Sequence, residues 1–382
     1  MKTFYWFTET LFDSQERGEY SFDLSAYLKV FVENKLWEKP AYRTEYKEKF
    51  AKQDLEKIQS IKIHFHVANS PFHNFHNYEN IINKYFDIDK IEPRKIACSG
   101  IGEANRIAVI EIVFDSDKEL IPELSYDEER DIELVIERLN SGDTWKEEVK
   151  IKSIACEFVQ FFIFNLHLNF ITTEYTFAFS DKPNPIGFTV VSKESSLSYS
   201  TEKLELLTHY ILYQKEGDKL EQLMGITSRF WSKGPSMIHF FLDAVKTNCV
   251  TSTNFIKLVF ALESFFGKNA SNDFVSFVAP LAISENINEM KGWRETVRKS
   301  FKLRNEIVHG NSLIDLMDSY RREEDNQGMD KLFFELKSVI IRLFYFYINN
   351  DLFNRQGMGK INHELLFEFF PRGITKKSKR HL

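Results

Sequence analysis

The amino-acid sequence predicts two domains: an α+β domain over residues 1–200 and an all-helical domain over residues 201–382. Three observations predict this layout. Apolar residues alternate in strand-like runs in the first half, helical periodicity is continuous in the second half, and residues 181–201 between them are rich in Pro, Gly and Ser. Such stretches are typical of connections between periodic segments. We therefore place the domain boundary near residue 200.

Strand-like and helical segments are mixed in the first domain. Residues 61–67, IKIHFHV, alternate as a half-buried strand does, and residues 106–114, RIAVIEIVF, have the apolar content of a more buried strand. Helical patterns cover residues 41–59 and 126–140. This mixture predicts an α+β domain.

The second domain contains only helical patterns. Pro235 suits the first turn of a helix, where its missing N–H group has no intrahelical acceptor. Another helix begins with Thr253 as its capping residue and ends at Gly267. A basic segment, KSKR, precedes His381 and predicts a basic C-terminal tail. The predicted helices cover residues 235–246, 253–267, 272–283, 291–309 and 329–349.

Composition and cysteine usage exclude several protein classes. Hydrophobic residues make up 43% of the 382 residues and charged residues 28%, as in globular rather than disordered proteins. Cys98, Cys156 and Cys249 lie far apart without a CxxC pair, which argues against a disulfide framework or a thiolate zinc site. The most apolar stretch, residues 158–171, is too short and too polar to span a bilayer. We expect a cytoplasmic protein that does not enter a membrane.

Charge is distributed unevenly between the two halves of the chain. The net charge of the whole chain is −6. Residues 201–382 contain 26 Lys and Arg against 22 Asp and Glu, whereas residues 1–200 contain 24 against 34. A mildly basic domain joined to an acidic one is compatible with a second domain that binds a polyanion.

The helix predicted over residues 291–309 carries an arginine on its apolar face. At about 100° per residue, the helix gathers an apolar stripe that we expect to be buried. The stripe consists of Trp293, Val297, Phe301, Ile307 and Val308. Arg304 lies within it, and a buried guanidinium is costly unless it is paired. Glu263 also stands among apolar residues on an earlier predicted helix, so we predict that Glu263 and Arg304 meet between packed helices.

The adjoining face of the same helix is basic. Five residues at spacings of four, four, three and four form what we call the basic track: Arg294, Arg298, Lys302, Asn305 and His309. Gly310 then ends the helix and leaves His309 near open space. A phosphate backbone along this face would contact the cations Arg294, Arg298 and Lys302 first and a titratable imidazole last.

The stretch RNEIVHG at residues 304–310 resembles the signature of the HEPN superfamily, an Arg-x4-His motif with Asn after the Arg. Together with ALESFF at residues 261–266, it most resembles the Apea-like HEPN branch of bacterial phage-defence proteins. The resemblance covers about residues 200–350 and does not extend to the first domain. It implies that the second domain is a HEPN-like helical bundle.

The resemblance implies a metal-independent endoribonuclease that works as a homodimer in abortive phage defence and needs no cofactor. Arg304 would contact the scissile phosphate, His309 would act as base or acid, and Asn305 would orient His309. Glu263 would support Arg304. The products would be a 2′,3′-cyclic phosphate and a 5′-hydroxyl. The first domain would then respond to a phage-derived or nucleotide trigger.

Two other interpretations of these residues stay open. Arg304 and Glu263 could form a core ion pair and His309 a helix-end cation, in a HEPN-like domain that binds a nucleotide or a protein partner without cutting RNA. In the first domain, an HxH…HxxH spacing could hold zinc or a similar ion. Its members are His64, His66, His73 and His76. Loop histidines beside aromatic residues are often only solvated, so we assign no metal site to them.

Overall fold

A computed structural model of the chain describes residues 2–9, 13–14, 20–35, 51–67, 84, 106–115, 142–169, 187–191, 197–200, 211–212, 214–245, 250–267, 270–310 and 328–355. They form two compact units, of which the first ends at Ser232 and the second begins at Lys233. The first unit combines a sheet with helices, and every described element of the second unit is helical. The predicted layout of an α+β part followed by a helical part is confirmed at this level.

A six-stranded antiparallel sheet organises the first unit. The strands described are β1 (Lys2–Glu9), β2 (Asp13–Ser14), β3 (Tyr20–Asp23), β4 (Ile58–Val67), β5 (Arg106–Phe114), β6 (Gly187–Val191), β7 (Leu197–Ser200) and β8 (Ile211–Leu212). Their order in the sheet is β3-β4-β5-β1-β6-β7, while β2 and β8 form a separate parallel pair. Both predicted strands, β4 and β5, are therefore confirmed, and they are neighbours in the sheet.

The prediction of a helix over residues 41–59 is wrong for the last residues of this range. The helix described here covers only Lys52–Glu56, and Ile58 already belongs to β4. Ile58 is buried and pairs with Phe114, and such cross-strand packing outweighs local periodicity. The earlier part of this pattern and the pattern at residues 126–140 lie outside the described residues.

Part of the segment that we predicted to connect the domains is strand. β6 pairs with β1, and β7 pairs with β6, so both belong to the sheet. The first unit then continues through the helix Gln214–Thr227 as far as Ser232. The division between the units thus comes later than residue 200, because pairing with β1 is a long-range contact that local composition does not report.

The core of the first unit lies between the sheet and a long helix. The helices of this unit are α1 (Ala26–Glu33), α2 (Lys52–Glu56), α3 (Gly142–Asn169) and α4 (Gln214–Thr227). The Phe162 ring of α3 lies 4.7 Å from the ring of Phe22 and 5.9 Å from that of Phe65. The Thr227 hydroxyl at the end of α4 donates to Asn165 Oδ1 at 2.7 Å. Aromatic packing and this buried hydrogen bond therefore hold α3 and α4 in place.

The five helices predicted for the second half are confirmed. The helices of the second unit are α5 (Pro235–Val245), α6 (Ser252–Phe266), α7 (Asn272–Ile283), α8 (Ile287–Val308), α9 (Gly328–Asn349) and α10 (Leu352–Arg355). α8 begins before residue 291 because Asn286 caps it, accepting from the N–H of Glu289 at 2.9 Å. The N-cap of α6 is Thr251 rather than Thr253, since the Thr251 side chain accepts from the N–H of Asn254.

α6 and α9 pack together in the core of the second unit. The buried Tyr347 hydroxyl of α9 donates to the carbonyl of Phe265 on α6 at 2.7 Å, and the two rings lie 5.0 Å apart. α8 packs on both helices, which brings its inner face beside α6. Among the helices that the structure describes, none has the length and apolar character needed to cross a membrane.

Candidate functional site

The predicted contact between Glu263 and Arg304 is present. Arg304 Nη2 donates to Glu263 Oε1 at 2.5 Å and joins α8 to α6. The two side chains are 20% and 32% exposed, with Arg304 the more buried, so the pair lies at the edge of the helix packing. The guanidinium carbon also lies 5.7 Å from the centroid of the Phe301 ring. Charge pairing and this ring contact together restrain the guanidinium.

The apolar stripe of α8 is shorter than predicted. Val297 and Phe301 are buried and Ile307 is half-buried, but Val308 is 59% exposed. Every residue from Val308 to Gly310 is exposed, so the last turn of α8 extends beyond the packed core. Arg304 stands one turn before this end, which explains why its side chain is only partly buried.

The contact with Glu263 uses only part of the Arg304 guanidinium. The contact with Glu263 engages one terminal nitrogen of a group that carries five N–H donors. The buried Nε of Arg304 has no hydrogen-bond partner among the described residues. Native proteins rarely leave a buried donor unsatisfied, and functional sites are among the exceptions. The guanidinium is thus anchored on one side, and because its Nε is buried, only its terminal nitrogens can reach a ligand outside the protein.

His309 is the C-cap residue of α8, and its side chain is exposed, as predicted. Its backbone N–H donates to the carbonyl of Asn305 at 2.9 Å. Gly310 follows with a φ of 84°, a conformation in which glycine avoids the strain of other residues and ends the helix. The predicted helix end is therefore present, and it leaves the imidazole open to solvent.

The predicted role of Asn305 in orienting His309 is not supported by a contact between the two side chains. Asn305 is half-buried, and the hydrogen bond that links it to His309 uses its backbone carbonyl. His309 has φ −80° and ψ 5°, so it has already left regular helical geometry. A side-chain role for Asn305 stays a prediction.

The basic track is a solvent-exposed face of α8. Four of its members are exposed, and Asn305 is half-buried. By helical rotation the five residues lie within an arc of about 80°. The Lys302 ammonium lies 3.9 Å from the carboxylate of Glu306, and such an exposed pair contributes little to stability. The track therefore presents positive charge along most of one helix.

A carboxylate that the sequence analysis did not identify lies beside the histidine pair His64 and His66 of the first unit. The rings of His64 and His66 are 6.4 Å apart, and burial lowers the pKa of both imidazoles. Glu111 on β5 lies 3.8 Å from His64 Nε2. The sequence indicates this contact only in that Glu111 is the one acidic residue of the largely apolar strand β5. His73 and His76 lie outside the described residues, and the described part of the chain contains no group of three or more His, Cys, Asp or Glu able to hold a metal ion.

Sequence analysis also missed a groove of about 440 Å³ between α8 and α9. Within it, Trp293 Nε1 donates to Glu289 at 3.2 Å, and the Thr296 hydroxyl donates to Glu335 at 2.7 Å. The Arg342 guanidinium lies 3.5 Å from Glu289 and 5.4 Å from the Trp293 ring. These contacts link Glu289 with Trp293 and Arg342, and Thr296 with Glu335, so we interpret the groove as part of the packing of α8 on α9.

No protein-family model, curated protein or solved structure matches the chain. The candidate site therefore depends on its own geometry, which combines an anchored guanidinium, an exposed imidazole and a basic face on one helix. Such groups can bind a phosphodiester, stabilise added negative charge and exchange a proton.

Proposed function

We propose that the second unit is a metal-independent endoribonuclease with a HEPN-type fold and site. The observation that carries the proposal is the contact between Arg304 and Glu263, which anchors a guanidinium on the helix that ends at the exposed His309. An imidazole changes protonation near neutral pH and can serve as base or acid. The basic track supplies the positive charge that RNA binding requires.

In the proposed reaction the RNA is cleaved by its own 2′-hydroxyl. A neutral imidazole takes the 2′-hydroxyl proton, the 2′-oxygen attacks phosphorus, and the bond from phosphorus to the 5′-oxygen breaks. A protonated imidazole then supplies a proton to the departing oxygen, while Arg304 stabilises the extra charge on the phosphoryl oxygens. The products are a 2′,3′-cyclic phosphate and a 5′-hydroxyl.

A second copy of the chain completes the proposed site. Arg304 and His309 lie about 140° apart around α8, so one helix presents them poorly to a single phosphate. A two-fold axis would bring Asn305 and His309 of each subunit to one shared cleft, flanked by both basic tracks, and the arginines and histidines of both subunits would act there together.

We further propose that the cleavage serves abortive phage defence, by halting the infected cell through loss of its RNA. The acidic first unit would hold the ribonuclease in check or respond to a phage-derived or nucleotide trigger. This assignment rests on the resemblance of residues 304–310 and 261–266 to Apea-like HEPN proteins.

The competing function is a non-catalytic module that binds a nucleotide or a protein partner. The observation that favours it is the same ion pair, since Glu263 already neutralises much of the charge of Arg304. In that case the arginine stabilises the fold, and His309 is a cation at a helix C-terminus.

The test is digestion of total RNA by the purified full-length protein in excess chelator. We expect His309→Ala to lower the cleavage rate by about 10²–10⁴-fold, because it removes the proton-transfer group. His239→Ala is the matched control, since His239 is a partly exposed histidine of the same unit. Equal digestion by the wild type and His309→Ala would refute the assignment, and loss of wild-type activity in chelator would refute metal independence.

A further inference from the structure

An aromatic side chain lies exposed beside the first residue of the basic track. Phe277 belongs to α7, whose neighbouring residues Val275 and Val278 are buried, yet its own side chain is 46% exposed. The Arg294 guanidinium carbon lies 5.9 Å from the centroid of its ring. A ring and a guanidinium that meet in this way leave a planar apolar surface and a positive charge next to each other at the surface.

The position of this pair relative to the candidate site is set by the two helices. α7 and α8 are joined by only three residues, 284–286, and pack against each other. Phe277 therefore lies beside the early part of α8, and His309 ends the same helix. The separation of fifteen residues between Arg294 and His309 corresponds to roughly 22 Å along the helix axis.

We propose that Phe277 and Arg294 form a stacking site for an unpaired nucleobase of a single-stranded RNA that runs along the basic track. The inference rests on the proposed function, since the track leads to the candidate cleavage site. Single-stranded nucleic acids are bound by positively charged grooves that carry aromatic side chains, because every base has a face that can stack. The phosphates would contact Arg298 and Lys302 between the stacked base and the cleaved bond.

The surroundings of Phe277 favour a nucleobase over a protein partner. The other large apolar residues exposed in the described part of the chain are Ile287 and Val308. They lie near opposite ends of α8, roughly 31 Å apart, so the three do not form the continuous apolar patch typical of a protein interface. A single aromatic ring beside a guanidinium, followed by the cations of the basic track, suits a polyanion that carries planar bases.

The experiment measures binding in a full-length His309→Ala background, so that the RNA is not cut. A fluorescein-labelled octanucleotide, the same sequence in a duplex, and a dinucleotide are titrated and followed by fluorescence anisotropy. Phe277→Leu keeps apolar bulk but removes the ring, Phe277→Tyr keeps the ring, and Ile287→Ala removes exposed apolar surface elsewhere. Thermal melting of each variant verifies that it is folded.

We expect Phe277→Leu to weaken binding of the octanucleotide about tenfold, since a stacked base contributes an effect of this order. Phe277→Tyr and Ile287→Ala should bind like the parent. Binding of the duplex should not depend on Phe277, because the duplex has no unpaired base. The dinucleotide should bind weakly, because it cannot reach from Phe277 to His309.

Unchanged octanucleotide binding by Phe277→Leu would overturn the inference, as would an equal loss in Ile287→Ala or no octanucleotide binding by the parent. The proposed catalysis can fail separately. If the wild type does not cut RNA while Phe277→Leu still weakens octanucleotide binding and Phe277→Tyr preserves it, the stacking site stands and the ribonuclease assignment does not.

Discussion

Two faces of α8 differ in how their charged residues are held. On the inner face, Arg304 is partly buried, contacts Glu263 of α6 and lies near the Phe301 ring. On the outer face, the cations of the basic track are exposed to solvent. One helix thus presents a restrained guanidinium and a row of solvated cations, separated only by the helical rotation.

The difference separates two properties that a ribonuclease site needs. A transition-state contact depends on fixed geometry, which the ion pair and the aromatic ring provide. Attraction of a polyanion depends on accessible charge and requires little geometric restraint. Substitutions on the inner face should therefore change catalysis and stability, whereas those of the outer-face cations Arg294, Arg298 and Lys302 should change only RNA affinity and its salt dependence.

The largest expected effect is on catalysis at the inner face. Arg304→Ala should lower RNA cleavage by about 10²–10³-fold, the usual consequence of removing a group that stabilises transition-state charge. The rate of cleavage of a fluorogenic oligonucleotide measures this loss. Wild-type rates in Arg304→Ala would mean that the inner face has no catalytic role.

Mixing Arg304→Ala with His309→Ala protein extends this test to the dimer. In a mixed dimer each half of the composite site lacks one residue, so activity should remain far below that of the wild type. Light scattering then measures the size of the active species. A fully active monomer would refute the shared site while leaving catalysis by a single chain possible.

An intermediate effect is expected on stability at the inner face. Glu263→Ala leaves the Arg304 charge partly buried without its partner, and we expect a loss of about 1–3 kcal/mol, below the range for a fully buried pair. Glu306→Ala is the matched control, because its partner Lys302 is solvated and the loss should stay within about 0.5 kcal/mol. Denaturant unfolding measures both. Equal midpoints for the two variants would show that the two faces do not differ in stability.

The smallest effect is expected at the outer face. Arg298→Ala should leave the melting temperature unchanged and reduce the slope of log affinity against log salt by about 0.7, the contribution of one phosphate contact on a single strand. Lys29→Ala, an exposed lysine of the first unit, serves as the control and should leave the slope unchanged. An unchanged slope in Arg298→Ala would remove this arginine from the RNA path.

The helices and the helix end at His309 could be predicted because their causes are local. Apolar periodicity, capping side chains and a glycine after the last turn act within a few residues, and Gly310 and Gly267 stand where the chain needs positive φ. The pairing of Glu263 with Arg304 was also predictable, because two opposite charges on the apolar faces of neighbouring helices have few other partners available.

Other features of the site could not be predicted from local sequence. Val308 fits the apolar stripe by periodicity, but it is exposed because α8 extends beyond the helices that cover its inner face. Phe277 has the spacing of a core residue, and only the packing of α7 on α8 leaves it at the surface beside Arg294. Periodicity predicts which residues share a face, and it does not predict where the covering elements stop.

The sequence by itself determined the helical second unit, two neighbouring strands of the first, and the residues that share each face of α8. Only the tertiary structure decided that β6 and β7 join the sheet, that Glu111 lies beside His64, and that Arg304 lies at the edge of the helix packing. The physical reason is the separation along the chain of the residues that interact. Caps and helical periodicity involve neighbours along the chain, whereas strand pairing, burial and ion pairs depend on residues that become neighbours only when distant segments pack together.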